Sequence, residues 1–291
     1  MPVRAGGQGR AYGSRGPQEE VVMRRIARLF HSPGKKLVPF ITAGFPRLED
    51  TVPLVLAAER AGAHMVEIGM PFSDPLADGP VIQQASQAAL ANGVTVPWIL
   101  EAVAQIRERS QVPIVLMGYI NPLLNMGLET FLKKAREVGV DGLIIPDLPP
   151  EEGAPFFKQA RSMNLSTIYL VAPNTPDDRI EQLGREAEDL LYAVSILGVT
   201  GSTLAGREKL DQYLDRVRAV SEVPFVVGFG ISTPDDVRRA AAKADGVVVG
   251  SALLARLQEA ADPVNEAAEY LLTLAAALSE SNQDPVKGDS I

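Results

Sequence analysis

Two acids of one short stretch carry the clearest chemistry in this chain. Glu67 stands inside the apolar run Met65-Val66-Glu67-Ile68-Gly69, and Asp78 follows in MPFSDPLADGP, residues 70–80. A carboxylate within a buried strand is costly on either face unless it finds a partner. Burial would also raise its pKa and suit it to proton transfer. A carboxylate satisfied by nearby backbone or a basic side chain is the plainer reading, and before the loop is considered the two carry equal weight. Asp74 and Asp78 could likewise be turn formers, since Ser-Asp-Pro and Asp-Gly-Pro are ordinary turn chemistry. Two acids facing one ligand nevertheless supply an acid and a base without any histidine.

Three glycine-containing segments suit an anion: GVTGS at 198–202, GFGIS at 228–232, and Gly250-Ser251. Glycine lets the backbone approach closely, so amides and a helix N-terminus can hold phosphate oxygens without a lysine. Any one alone reads as a tight turn. Phe40, Tyr119, Tyr192 and Phe229 fall at or just beyond apolar runs. They serve either as core filler or, gathered at one mouth, as walls for a flat apolar ring. His31 and His64 are the only histidines and there is no cysteine. No metal constellation is therefore expected.

These residues need a scaffold that brings loop ends together. Short apolar runs at 37–42, 65–69, 113–117, 142–145, 167–171, 190–195, 224–228 and 246–250 read as eight strands. Most are continuously apolar, as for parallel strands covered on both faces. Amphipathic segments at 48–61, 96–109, 129–138, 150–163, 176–186, 206–220, 234–242 and 263–278 read as the intervening helices. Thr95, Thr175 and Thr233 are candidate N-caps, the last two followed by proline at the first helical position. The alternation predicts an α/β fold, a (β/α)8 TIM barrel with an extra N-terminal helix at about 19–30 capping its bottom. No G-x-G-x-x-G follows the first strand, which disfavours a dinucleotide fold. In a barrel, active sites form in the loops after the strands. Glycine clusters after strands six, seven and eight match the phosphate cup common to such barrels.

Residues 1–17 read as a disordered extension or a mis-assigned start, 18–278 as one barrel domain, and 279–291 as a frayed tail. The 291 residues hold 28 Lys plus Arg against 36 Asp plus Glu, a net charge of -8. That sign opposes nucleic-acid or anionic-lipid binding. No run approaches a membrane span. The absence of cysteine fits the cytoplasm, where the chain is expected to reside.

The run 67–80 closely resembles the signature of the tryptophan synthase α-subunit family. PFITAG at 39–44, MGYINP at 117–122, PDLP at 146–149, GVTG at 198–201, GFGI at 228–231 and Gly250-Ser251 support it. The resemblance implies reversible retro-aldol cleavage of indole-3-glycerol phosphate to indole and D-glyceraldehyde 3-phosphate, with no cofactor in this chain. Glu67 then corresponds to the acid/base at indole C3 and the glycerol hydroxyl. Asp78 corresponds to the carboxylate that stabilises and then takes the indole N–H proton. It further implies an indole pocket of Phe40, Tyr119, Tyr192, Thr200 and Phe229, and a phosphate site of Gly201, Gly230, Gly250 and Ser251. The implied partner is a pyridoxal-phosphate β subunit in an α2β2 complex, docked through Pro71, Asp74 and the Asn121-Pro122 turn. A free-standing lyase and a catalytically weak regulatory module of the β subunit are the alternatives. Another sugar-phosphate enzyme on the same scaffold would share the phosphate cup but not the 71–80 loop.

Overall fold

β1 (Lys36–Thr42) is buried at all seven positions, one face lying against a packed interior and the other beneath helices. In the computed structural model, which describes residues 23–194, 204–228 and 230–283, the other strands, apart from the partly exposed Met117, Leu170 and Val194, are likewise buried. They are β2 (Val66–Gly69), β3 (Ile114–Met117), β4 (Gly142–Ile144), β5 (Ser166–Thr167), β6 (Tyr169–Val171), β7 (Leu191–Val194), β8 (Phe225–Gly228) and β9 (Gly246–Val249). All pairings are parallel, in the order β5-β4-β3-β2-β1-β9-β8-β7-β6. Only Ile168 separates β5 from β6, so the two segments fill one position. The ladder closes through them into the expected eight-position barrel.

An outer layer of helices follows the strands: α2 (Thr51–Arg60), α4 (Val96–Arg107), α6 (Leu128–Glu137), α7 (Ala154–Ser162), α8 (Asp177–Ala187), α9 (Leu204–Val220), α10 (Pro234–Lys243) and α12 (Pro263–Gln283). Three more intervene between a strand and its outer helix: α3 (Pro80–Ala91), α5 (Ile120–Met126) and α11 (Ser251–Glu259). Asn121 and Pro122 therefore lie in the first turn of a helix, where proline loses little, and not in a free turn.

Thr95 and Thr233 act as N-caps, accepting hydrogen bonds from the Trp98 and Asp236 amides. Thr175 does not. Its hydroxyl accepts from the Ala172 amide at 2.9 Å, Pro176 takes the cap position and α8 begins one residue later. α7 starts at Ala154, after a turn, and α12 continues through Gln283, past the residue 278 expected for its end.

α1 (Arg25–His31) closes the barrel bottom; the part of the expected helix before residue 23 lies outside the described residues. Its Ile26 is fully buried, and a Cβ on Gly142 would come within 2.8 Å of the Ile26 tip. Glycine at the foot of β4 thus makes room for the plug. Buried Asp141 accepts from Arg25 at 2.9 Å, Arg107 at 2.6 Å and the Ile114 amide at 2.8 Å. Each of its oxygens is thereby paired, which offsets the cost of burying the charge.

Candidate active site

Strand register brings the first acid inside. Phe40 of β1 pairs in register with Glu67 of β2, and Thr42 with Gly69. Glu67 is 1% exposed, and its Oε1 has no hydrogen-bond partner among the described residues. Burial first, and the nearby charge of Asp78 second, push its carboxyl up to about 8. At neutral pH the group is a protonated acid.

Asp78 is half-buried at the end of the β2–α3 loop. Burial raises its pKa, and a hydrogen bond from Tyr119 pulls part of the way back. The Tyr119 hydroxyl also accepts from the Ala77 amide at 2.9 Å, so one side chain fixes both the loop and its acid. Tyr119 is itself set by the next residue, whose amide donates to Asp147 at 3.0 Å. The ring of Phe72 lies 5.3 Å from that of Tyr119, adding an apolar contact between loop and barrel.

A cavity of about 570 Å³ opens at the C-terminal ends of the strands, a volume suited to a small organic ligand. Phe40, Tyr192 and Asp78 all line it. Glu67 does not itself line the cavity, but two groups that do, Asp78 and Tyr192, are close enough to interact with it electrostatically. Tyr119 borders a second cavity of about 20 Å³ with Asp78, Ser86 and Thr42. The buried Thr42 hydroxyl has no partner among the described residues.

The far end of the large cavity is built from backbone. α10 satisfies its own N-terminus through a capping box between Thr233 and Asp236. α11 starts at Gly250 with no side-chain cap, and Gly250, Ser251 and Ala252 all line the cavity. Its first-turn amides and the positive end of its dipole are thus turned to the opening. Gly230, after the neighbouring strand β8, has φ +60 and also lines the cavity. Thr200, Gly201 and Phe229 lie outside the described residues.

Of the expected docking residues, Asp74 and Asn121 are exposed, Pro122 is partly covered and Pro71 is buried. Sequence reasoning missed several apolar wall residues, among them Ile82, Met117, Leu170 and Val248. Strand parity with Phe40 and Tyr192 points to those on strands. Ile82 has no such signal, because α3 is not among the helical segments that the sequence marks. Among the described residues no group of three or more His, Cys, Asp or Glu side chains could hold a metal ion.

A closed parallel barrel whose cavity, at the C-terminal ends of the strands, takes in an acid of the β2–α3 loop and an uncapped helix N-terminus places the molecule among the (β/α)8-barrel enzymes. A family model described as tryptophan synthase alpha chain matches residues 26–283. The tryptophan synthase alpha chain of Geobacter sp. (strain M21) is 46% identical over 264 residues, spanning 91% of this chain and 97% of that one. The crystal structure of the alpha subunit from Legionella pneumophila str. Paris superposes with a TM-score of 0.82 at 36% identity, covering 89% of this chain and all of that one. A Pyrococcus furiosus structure, described in terms of mutual activation of the tryptophan synthase a2b2 complex, superposes with a TM-score of 0.76 at 33% identity over 84% of this chain and 100% of that one. The chain belongs to the tryptophan synthase alpha chain family, and is a lyase.

Proposed function

We propose that the chain cleaves indole-3-glycerol phosphate reversibly to indole and D-glyceraldehyde 3-phosphate. The observation that carries this reading is Glu67, a buried carboxyl kept protonated at neutral pH beside a second acid at the same cavity. Breaking the bond between indole C3 and the glycerol carbon requires a proton on C3. Glu67 donates it after a rotamer change that brings the carboxyl into the cavity. Positive charge then develops on the indole nitrogen, and Asp78, accepting the N–H, offsets it. The resulting Glu67 carboxylate takes the proton of the hydroxyl on the departing carbon. The C–C bond electrons return to the ring, the carbon becomes the aldehyde, and Glu67 is protonated again. Phe40 and Tyr192 flank the indole, while the α11 N-terminus and Gly230 hold the phosphate. Tyr119, Thr200, Phe229, Gly201, Gly250 and Ser251 complete the two subsites.

The chemistry is supplied by two carboxylates, so the chain itself needs no cofactor; pyridoxal phosphate belongs to a β subunit. The partnership rests on the Pyrococcus furiosus relative, and an α2β2 complex is the proposed assembly. Asp74, Asn121, Pro122 and Pro71 lie at the same barrel end as the cavity, where indole would leave. No single described helix is long and apolar enough to cross a membrane, and the proposed compartment is the cytoplasm.

The direct test is indole release from indole-3-glycerol phosphate by the purified chain, with Glu67→Ala and Asp78→Ala beside it. Each variant should lose about 10²- to 10⁴-fold in rate. Near-normal turnover in either removes that residue from the mechanism.

A further inference from the structure

We propose that Tyr270 is a positioning residue for the phosphate end of the cavity; the inference rests on the phosphate reading above. Tyr270 belongs to α12, on the outer layer, and its ring is buried. Its hydroxyl donates to the Ser232 carbonyl at 2.9 Å. Ser232 lines the cavity two residues after Gly230.

The other side of the same peptide unit is also held. The Thr233 amide donates to Asp236 at 2.9 Å, and the Ser232 amide and hydroxyl reach the same oxygen, each at 3.1 Å. Burial opposes charge on Asp236, but these hydrogen bonds outweigh it and keep the carboxyl below its usual range. A planar peptide held at both its C=O and N–H cannot rotate. The orientation of the preceding turn, with Gly230 in the left-handed region, is fixed with it.

Tyr270 also joins the two walls. The Arg256 guanidinium of α11 lies 4.4 Å from the centre of its ring, and Arg256 donates to Glu266 of α12 at 2.8 Å. α11 presents the uncapped N-terminus, and the β8–α10 turn presents Gly230. One tyrosine therefore sets the spacing of both with respect to α12: its face through a cation–π contact and its hydroxyl through a hydrogen bond.

Tyr270→Phe keeps the ring, the packing and the Arg256 contact, and removes only the hold on Ser232. The test measures binding of inorganic phosphate to the full chain by calorimetry, with KM and kcat for indole-3-glycerol phosphate and the unfolding temperature. Losing one hydrogen bond should weaken phosphate binding and raise KM about three- to tenfold, with kcat and unfolding temperature nearly unchanged. Tyr270→Leu, which also loses the cation–π contact, should weaken phosphate binding further. Unchanged affinity in Tyr270→Phe overturns the proposal while leaving the phosphate site intact. A fall in kcat and unfolding temperature without a change in KM makes the residue merely structural and also overturns it. Failure of the unsubstituted chain to bind phosphate overturns the phosphate reading and the proposal together.

Discussion

Phe40 lies across Gly69: a Cβ built on that glycine would come within 2.4 Å of the tip of the Phe40 ring. The two residues sit on neighbouring strands, and the missing side chain of one is the space for the other. The same arrangement recurs across the cavity, where a Cβ on Gly228 would stand 2.2 Å from the Tyr192 hydroxyl. Both aromatic walls of the cavity are thus set by a glycine at a strand end.

Gly69→Ala should therefore push Phe40 into the cavity and narrow the proposed indole pocket. Substrate binding should weaken by roughly tenfold, since displacing a packed side chain costs about 1–3 kcal/mol. Combining it with Phe40→Leu, which removes the obstructing ring tip, should restore part of the loss. Steady-state kinetics on the two single variants and the double variant would check this. Strictly additive losses would show that the two residues do not compete for space.

Glu67 ties activity to stability in opposite directions. Its folded pKa of about 8 lies above the ordinary 4.5, so the folded chain holds a proton that the unfolded chain releases. Stability therefore falls as pH rises between those values, by a total on the order of 5 kcal/mol. Glu67→Gln should abolish most cleavage and gain stability, more at pH 9 than at pH 5. Denaturant unfolding at both pH values tests this, and an unchanged or lower midpoint at pH 9 would refute it. In the unsubstituted enzyme the acid-dependent step should slow as pH rises through about 8.

The strands were legible because a parallel barrel strand needs apolar residues on both faces, a pattern that survives without knowledge of its neighbours. α3, α5 and α11 were not. α5 is seven residues of INPLLNM with a proline in its first turn, which locally looks like a turn. α11 carries Leu253, Leu254 and Leu257 on its buried side, but Gly250 provides no capping side chain to announce a start. That missing cap is what the proposed phosphate site uses. Thr175 followed by proline carries the sequence mark of a cap, but its hydroxyl closes a turn on Ala172 instead. In the site, Glu67 and Asp78 stood out by residue type. Tyr119 was expected for its ring, whereas its hydroxyl is what holds the Asp78 loop. Tyr270 had no sequence signal, because its contact with Ser232 spans 38 residues.

His64 should make the barrel bottom sensitive to acid. Its Nδ1 accepts from the Leu37 amide at 3.2 Å, which requires that nitrogen to be unprotonated. Burial, and then the charge of Lys36, lower its pKa below 6.5. A base with a lowered folded pKa contributes stability above the unfolded value and loses it as pH falls toward the folded one. The unfolding midpoint should therefore drop on acidification below about pH 6.5. His64→Asn, whose side-chain oxygen can accept from the same amide, should flatten that drop. An equally steep acid limb in the variant would assign the effect to other groups.

Docking of a β subunit is expected to use apolar side chains beside the cavity mouth. Leu76, in the loop that carries Asp78, is 92% exposed, and Leu124, on α5 beside Asn121 and Pro122, is 53% exposed. Large apolar residues held out to water at one end of a barrel gain by being covered. The loop and α5 meet through Tyr119, which directly precedes α5 and accepts from Ala77. A partner pressing on either can therefore bias the placement of Asp78, and by reciprocity substrate closure of the loop should tighten the partner's grip. Leu124→Asp puts a charge on the surface without touching the cavity. It should leave indole release by the isolated chain unchanged and weaken association with the β subunit roughly tenfold or more. Sedimentation of the mixed chains, run with the indole assay, checks both halves. An undiminished complex would move the docking surface elsewhere on the barrel, and full unaided activity with no complex at micromolar concentration would make the chain a free-standing lyase.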